Sequence, residues 1–203
     1  MTSSYLLSPL VFLLQTLFGL YTAVVAIRFL LQWARADFYN PISQFIVRVT
    51  TPALRPLRQY IPGYGGLDLA ALVLIWLLTT VELALLALLL GSPHSILGAV
   101  GWAIPSMAEL FINLMLFAVL ARALLSWVNP DPRNPMIGLL TRLTDPVMLP
   151  AQRQIQPIGG VDLSPLVVII GLTLLNMLLI PPKMAGRQPV LTDRADVVVS
   201  LAR

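Results

Sequence analysis

Residues 28–68 read RFLLQWARADFYNPISQFIVRVTTPALRPLRQYIPGYGGLD, and residues 122–162 read RALLSWVNPDPRNPMIGLLTRLTDPVMLPAQRQIQPIGGVD. An offset of 94 residues superposes Arg28 on Arg122, Trp33 on Trp127, Asn40-Pro41 on Asn134-Pro135, Arg48 on Arg142, Thr50 on Thr144, Pro52 on Pro146 and Pro56 on Pro150. A one-residue slip then pairs Arg58 with Arg153 and Pro62 with Pro157. The first register returns at Gly65-Gly66-x-Asp68 against Gly159-Gly160-x-Asp162. Chance does not align that many prolines, glycines and arginines, so the chain is an internal repeat.

Outward from these stretches the chain is almost free of charge. Residues 2–27, 83–108 and 163–182 carry none, and Glu82 and Glu109 alone interrupt the neighbouring runs. Over the whole chain 58% of residues are apolar and 11% charged, against about 45–50% and about 25% in a soluble domain. That balance excludes both an ordinary water-facing globule and a disordered chain. A bilayer core about 30 Å thick needs about 20 apolar helical residues. Four segments fit: 10–32, 69–90, 106–128 and 163–180. The first is too long for a signal-peptide core and no Lys or Arg precedes it, so it is read as a mature helix. Stretch 92–104, between Pro93 and Pro105, is read as a short interfacial piece.

The expected fold is therefore an all-α membrane protein with four transmembrane helices arranged as two parallel repeats. The first repeat covers 8–91, a periplasmic connector 92–104, the second repeat 105–182 and a tail 183–203. Within each repeat a Pro-rich connector joins the two spans. Ile42, Phe45, Ile46 and Val49 fall at i, i+3, i+4 and i+7, as do Met136, Leu139, Leu140 and Leu143. This spacing predicts amphipathic helices over about 41–51 and 135–145. Asn40 and Asn134 are N-caps, Pro41 and Pro135 open the helices, and Pro52 and Pro146 are expected to stop them. Helices that short lie in the headgroup plane, with Arg48 or Arg142 toward phosphates; a small extramembrane domain is the alternative. Asp68 and Asp162 stand where the next membrane helices need N-caps.

The doubled pattern Arg-x4-Trp, Asn-Pro, Thr-x-Pro-x3-Pro and Gly-Gly-x-Asp resembles the YggT family, whose members carry this repeat. The likeness covers roughly residues 8–182, and Ala36-Asp37-Phe38-Tyr39-Asn40-Pro41 looks like the proteobacterial members. Asn129-Pro130-Asp131-Pro132-Arg133 departs from the first half, so the two connectors need not be interchangeable. The resemblance implies a bacterial inner-membrane protein without known catalysis. Bacterial relatives are associated with osmotic tolerance and potassium uptake, other relatives with cell division, envelope organisation and cytochrome b6 maturation.

Zero cysteines and the single His94 remove thiolate chemistry, Cys-type metal centres and imidazole triads. No catalytic residue, cofactor or metal is expected, and the net charge of +4 is not gathered in one basic run, which argues against nucleic acid. Arg35, Arg48, Arg55 and Arg58 lie in the first connector and Arg133, Arg142 and Arg153 in the second, whereas the amino-terminal segment and 91–105 hold no Lys or Arg. Positive-inside places both connectors in the cytoplasm and both termini in the periplasm, although four basic residues in the tail pull the other way.

Polar groups inside spans are functional candidates. With Leu69 and Pro105 as span edges, Glu82 lies about 20 Å from the cytoplasmic face and Glu109 about 6 Å from the periplasmic one. Asn113 follows Glu109 at i+4 and Thr79 precedes Glu82 at i−3. If these helices adjoin, two close carboxylates make a minimal cation or proton site; interhelical hydrogen bonding is the rival reading. Arg28 and Arg122 are expected to tie to Asp68 and Asp162, or else to bind lipid phosphate. Gln15, Gly19, Thr22 and Ala26 form a small and polar stripe for packing. Two functions follow: a non-enzymatic assembly, scaffold or accessory component of an envelope complex, or a cation transport protein or its accessory subunit. Partners are the lipid bilayer and either further copies of the chain or another membrane protein.

Overall fold

The computed structural model describes residues 3–36, 40–90, 96–128, 134–155 and 162–179. Among them lie six helices: α1 (Ser3–Trp33), α2 (Pro41–Tyr60), α3 (Leu69–Leu89), α4 (Ile96–Val128), α5 (Pro135–Gln154) and α6 (Ser164–Leu179). Three stretches, Leu7–Trp33, Leu69–Leu89 and Gly98–Ser126, are long and apolar enough to cross a membrane, and α6 is a shorter apolar helix. Such runs satisfy their backbone groups internally, which an apolar medium demands. The tail, His94 and the second Gly-Gly turn lie outside the described residues.

Two elements differ from the sequence reading. Pro105 does not mark a boundary: α4 starts at Ile96 and runs through it. The Trp76 indole N–H donates to the Val100 carbonyl at 3.3 Å, tying this early part of α4 to α3. Nor do Pro52 and Pro146 stop their helices, since α2 contains Pro52 and Pro56 and α5 contains Pro146 and Pro150. Proline costs a helix the bond to the carbonyl four residues back. Here Pro52 and Pro56 repeat at i and i+4 on an exposed face, as does Arg48, whose carbonyl loses its partner. Each amphipathic helix is thus 20 residues long, about 30 Å.

The apolar positions of α2 divide between the protein interior and its outside. Ser43, Ile46, Thr50 and Leu54 are buried, whereas Phe45 is 64% exposed and Val49 also faces out. The helix starts as its Asn-Pro sequence dictates: the Asn40 side chain accepts from the Ile42 N–H, and Asn134 does the same for Met136. Upstream, α1 closes with Ala36 N–H donating to the Leu31 carbonyl at 2.9 Å and Arg35 at φ 50°, a left-handed C-terminal turn. Before α3, Tyr64 and Leu67 exchange backbone hydrogen bonds across Gly65 and Gly66, whose φ values of 60° and 85° suit glycine.

The packing repeats at the 94-residue offset. Val25, Leu54 and Leu74 form part of one buried cluster joining α1, α2 and α3. Val119, Met148 and Val168, the same positions one repeat later, join α4, α5 and α6. Between these clusters Leu31 and Ile46 meet Ile42 from α2 and Leu139 and Leu143 from α5, so both amphipathic helices pack beside the carboxyl end of α1. Phe29 and Phe111 bring α1 against α4, their ring centroids 5.5 Å apart.

Candidate functional site

Three membrane-type helices turn polar positions toward one another. Gly19 and Thr22 come from α1, Thr79 and Glu82 from α3, and Ser106, Glu109 and Asn113 from α4. In each helix these residues are three or four apart, so each set shares one face. Together with Leu110 they line a cavity of about 180 Å³, room for several water molecules. The two carboxylates and Asn113 singled out by sequence thus line the same space, with Thr79. Because α4 runs through Pro105, Glu109 stands about 17 Å along the helix from Gly98, where its apolar stretch begins.

The lining is not self-sufficient. Thr22 is 3% exposed and Ser106 8%, and neither hydroxyl has a hydrogen-bond partner. Buried polar atoms without partners are uncommon and point to water or an ion in the space they face. Beside the cavity the Asn176 amide of α6 donates to the Asn113 side-chain oxygen at 3.1 Å. Of the small-residue stripe on α1, Gly19 and Thr22 line the cavity, Ala26 joins the apolar core and Gln15 faces outward. Among the described residues no group of three His, Asp or Glu stands together as a metal site.

A second polar system holds the amphipathic helices. The expected ion pairs of Arg28 with Asp68 and Arg122 with Asp162 are not formed. Arg28 Nη1 instead donates to Thr50 Oγ1 at 2.5 Å, Thr51 Oγ1 at 3.2 Å and the Val47 carbonyl at 3.2 Å. Arg122 Nη1 repeats this with Thr144 Oγ1 at 2.7 Å, Asp145 Oδ1 at 2.9 Å and the Thr141 carbonyl at 3.3 Å. Each arginine therefore clasps the middle of its amphipathic helix. Each aspartate holds the end of that helix: Asp68 pairs with Arg58 and Asp162 accepts from Gln152 at 3.0 Å. Gln152 is the residue 94 positions after Arg58, so the structural repeat keeps one register where the sequence alignment slipped to Arg153. Asp162 also caps α6, accepting from the Ser164 N–H at 2.8 Å. Partial burial opposes ionisation, yet hydrogen bonds from Ser164 and Gln152 and the charge of Arg122 hold its carboxyl below the usual range.

A family model described as CCB3/YggT matches residues 7–89 and 101–182. The chain belongs to the CCB3/YggT family. An uncharacterized protein of Pseudomonas aeruginosa is 43% identical over 84% of this chain and 87% of its own length. An uncharacterized Vibrio alginolyticus protein from the proC 3′ region is 42% identical over 83% and 91%. The uncharacterized protein YggT of Escherichia coli K12 is 37% identical over 84% and 89%. No solved structure matches the chain.

In this CCB3/YggT chain the sequence reading missed Thr22 as a cavity residue, Ser106 and Asn176. Carrying the offset into the spans would have found part of the set. It places Thr79 on Thr173, Glu82 on Asn176, Gln15 on Glu109 and Gly19 on Asn113. The polar positions of the two halves thus occupy equivalent levels, with carboxylates at one member of two such pairs.

Proposed function

We propose that this chain is a non-enzymatic accessory component of a bacterial inner-membrane complex and that it holds a proton or small cation in the cavity between α1, α3 and α4. The observation that carries this reading is the cavity's makeup: Glu82 and Glu109 on its wall beside two buried hydroxyls without protein partners. Two like charges around one small space repel each other and attract a positive species. Ionisable groups at such depth are costly in lipid and mark ion or proton sites when they face an interior cavity. One such cavity is not a pathway, so the chain acts within a complex.

The accompanying architecture is two repeats in the same orientation with four crossings, α6 supplying the last. It is supported by the core positions shared between the halves and by the apolar length of α6, about 24 Å. The arginine distribution supports a cytoplasmic side for the connectors. The family's osmotic association fits a component of cation traffic.

The test is replacement of Glu82→Gln and Glu109→Gln in the native host. Loss of growth at high osmolarity with normal protein levels is the expected result. Full tolerance of both changes would remove the ion site and leave a second reading, an assembly scaffold. That reading is favoured by the paired clasps, which fix two amphipathic helices to one end of the molecule.

A further inference from the structure

The two clasps differ in charge. Arg122 has a carboxylate, Asp145, among its acceptors. At the equivalent position the first half has Thr51, so the acceptors of Arg28 are two hydroxyls and a carbonyl, all neutral. Arg28 is only 5% exposed, and a buried cation needs a counterion. Asp68 is close by but is bound to Arg58.

Arg28 opens onto a cleft of about 740 Å³ that Gln32, Gln44, Arg48, Arg58 and Asp68 also line. Three guanidiniums there face one carboxylate. The corresponding residues of the second half are Arg122, Ser126, Gly138, Arg142, Gln152 and Asp162, and Asp145 joins them, giving two guanidiniums and two carboxylates. The first half therefore keeps an unbalanced positive charge with long amide side chains around it, whereas the equivalent residues of the second half balance in formal charge. Arg28 reaches α2 through Nη1 alone, leaving its other N–H groups for an anion, and Arg48 has no ion-pair partner among the described residues. Arginine forks match the oxygens of phosphate. Trp33, Tyr60 and Tyr64 stand exposed around this end of the molecule, the aromatic placement typical of the headgroup level.

We propose that this cleft binds a phosphate group, presented by the headgroup of an anionic phospholipid, and that the first repeat alone has the site. The inference stands apart from the intramembrane cavity and holds whether or not Glu82 and Glu109 bind a cation.

The full chain, released from detergent carrying equal amounts of phosphatidylglycerol and phosphatidylcholine, is to be weighed by native mass spectrometry. Retention of phosphatidylglycerol over phosphatidylcholine is expected to be about tenfold. Thr51→Asp, which gives Arg28 the internal carboxylate that Arg122 has, should abolish the preference without lowering the melting temperature. Arg48→Gln, an exposed change, should also weaken it, while Arg142→Gln in the second half should not. Inorganic phosphate that stabilises the wild type and not Thr51→Asp, with no lipid preference, would support the phosphate site and make its ligand soluble. Absence of both effects, a preference that survives Thr51→Asp and Arg48→Gln, or equal loss with Arg142→Gln would overturn the proposal.

Discussion

Thr22 and Ser106 show how much a single buried hydroxyl can say. Both are enclosed, both face the space shared with Glu82 and Glu109, and neither has a protein partner. An orphaned hydroxyl costs about 1–3 kcal/mol when nothing satisfies it. Replacing Thr22 by Val keeps the shape and removes the polar atom, so the outcome depends on what occupies the cavity. With water or a cation present, Thr22→Val is expected to leave thermal stability within about 1 kcal/mol of wild type and to impair growth at high osmolarity as the Glu→Gln changes do. A variant that melts distinctly higher and grows normally would mean the hydroxyl faced an empty space. Sequence alone marked Glu82, Glu109 and Asn113 because a charge or amide inside an apolar run stands out. It did not mark Thr22 or Ser106 for the site, because a hydroxyl in a membrane helix is common and only its neighbours make it informative. The arginine partners were misread for a related reason. Arg28 and Asp68 line the same cleft, but Thr50 and Thr51 of α2 take the guanidinium and Arg58 takes the carboxylate.

Helices α2 and α5 carry the clearest conflict between local preference and observed structure. Their starts were legible, since an Asn-Pro pair satisfies an orphan N–H and sets the first φ angle. Their ends were not, because proline is read as a stop wherever no fold compensates. In α2 the prolines sit on the exposed face, while Ile46, Thr50 and Leu54 continue the buried face through them. Tertiary packing and the Arg28 clasp therefore outweigh the local penalty. Pro52→Ala is expected to keep the helix and to raise or preserve stability, because alanine is about 3 kcal/mol better in a helix interior. Thermal melting of the purified variant checks this, and a marked loss would show that Pro52 shapes the helix rather than being carried by it. Pro105 in α4 was misread in the same way, since the helix runs through it from Ile96. The helices least affected were α1 and α3, where long apolar runs, interrupted only by Arg28 and Glu82, end beside polar connectors and leave little to arbitrate.

At the scale of the whole molecule the repeat organises both packing and charge. Val25, Leu54 and Leu74 recur as Val119, Met148 and Val168, and the amphipathic helices of both halves converge on Leu31. Two halves built alike and meeting at one end carry their arginines to that end. Among the described residues, the amino-terminal halves of α1 and α4, at the opposite end, hold no Lys or Arg. Basic loops resist translocation, which supports the proposal that the arginine-bearing end lies in the cytoplasm. The phosphate cleft would then face the inner leaflet, where the negative surface potential concentrates cationic contacts. Tail residues Lys183, Arg187, Arg194 and Arg203 oppose this arrangement if both termini are periplasmic. A direct measurement settles between the two votes. Because the chain has no cysteine, Ser92→Cys provides a unique thiol in the segment ahead of α4, outside the described residues. In whole cells whose outer membrane has been made permeable, an impermeant thiol reagent is expected to label it. Thr51→Cys, within the connector, should react only after the inner membrane is broken. The reverse pattern would invert the molecule, place the cleft at the outer leaflet and show that the tail charges, not the connectors, set its orientation.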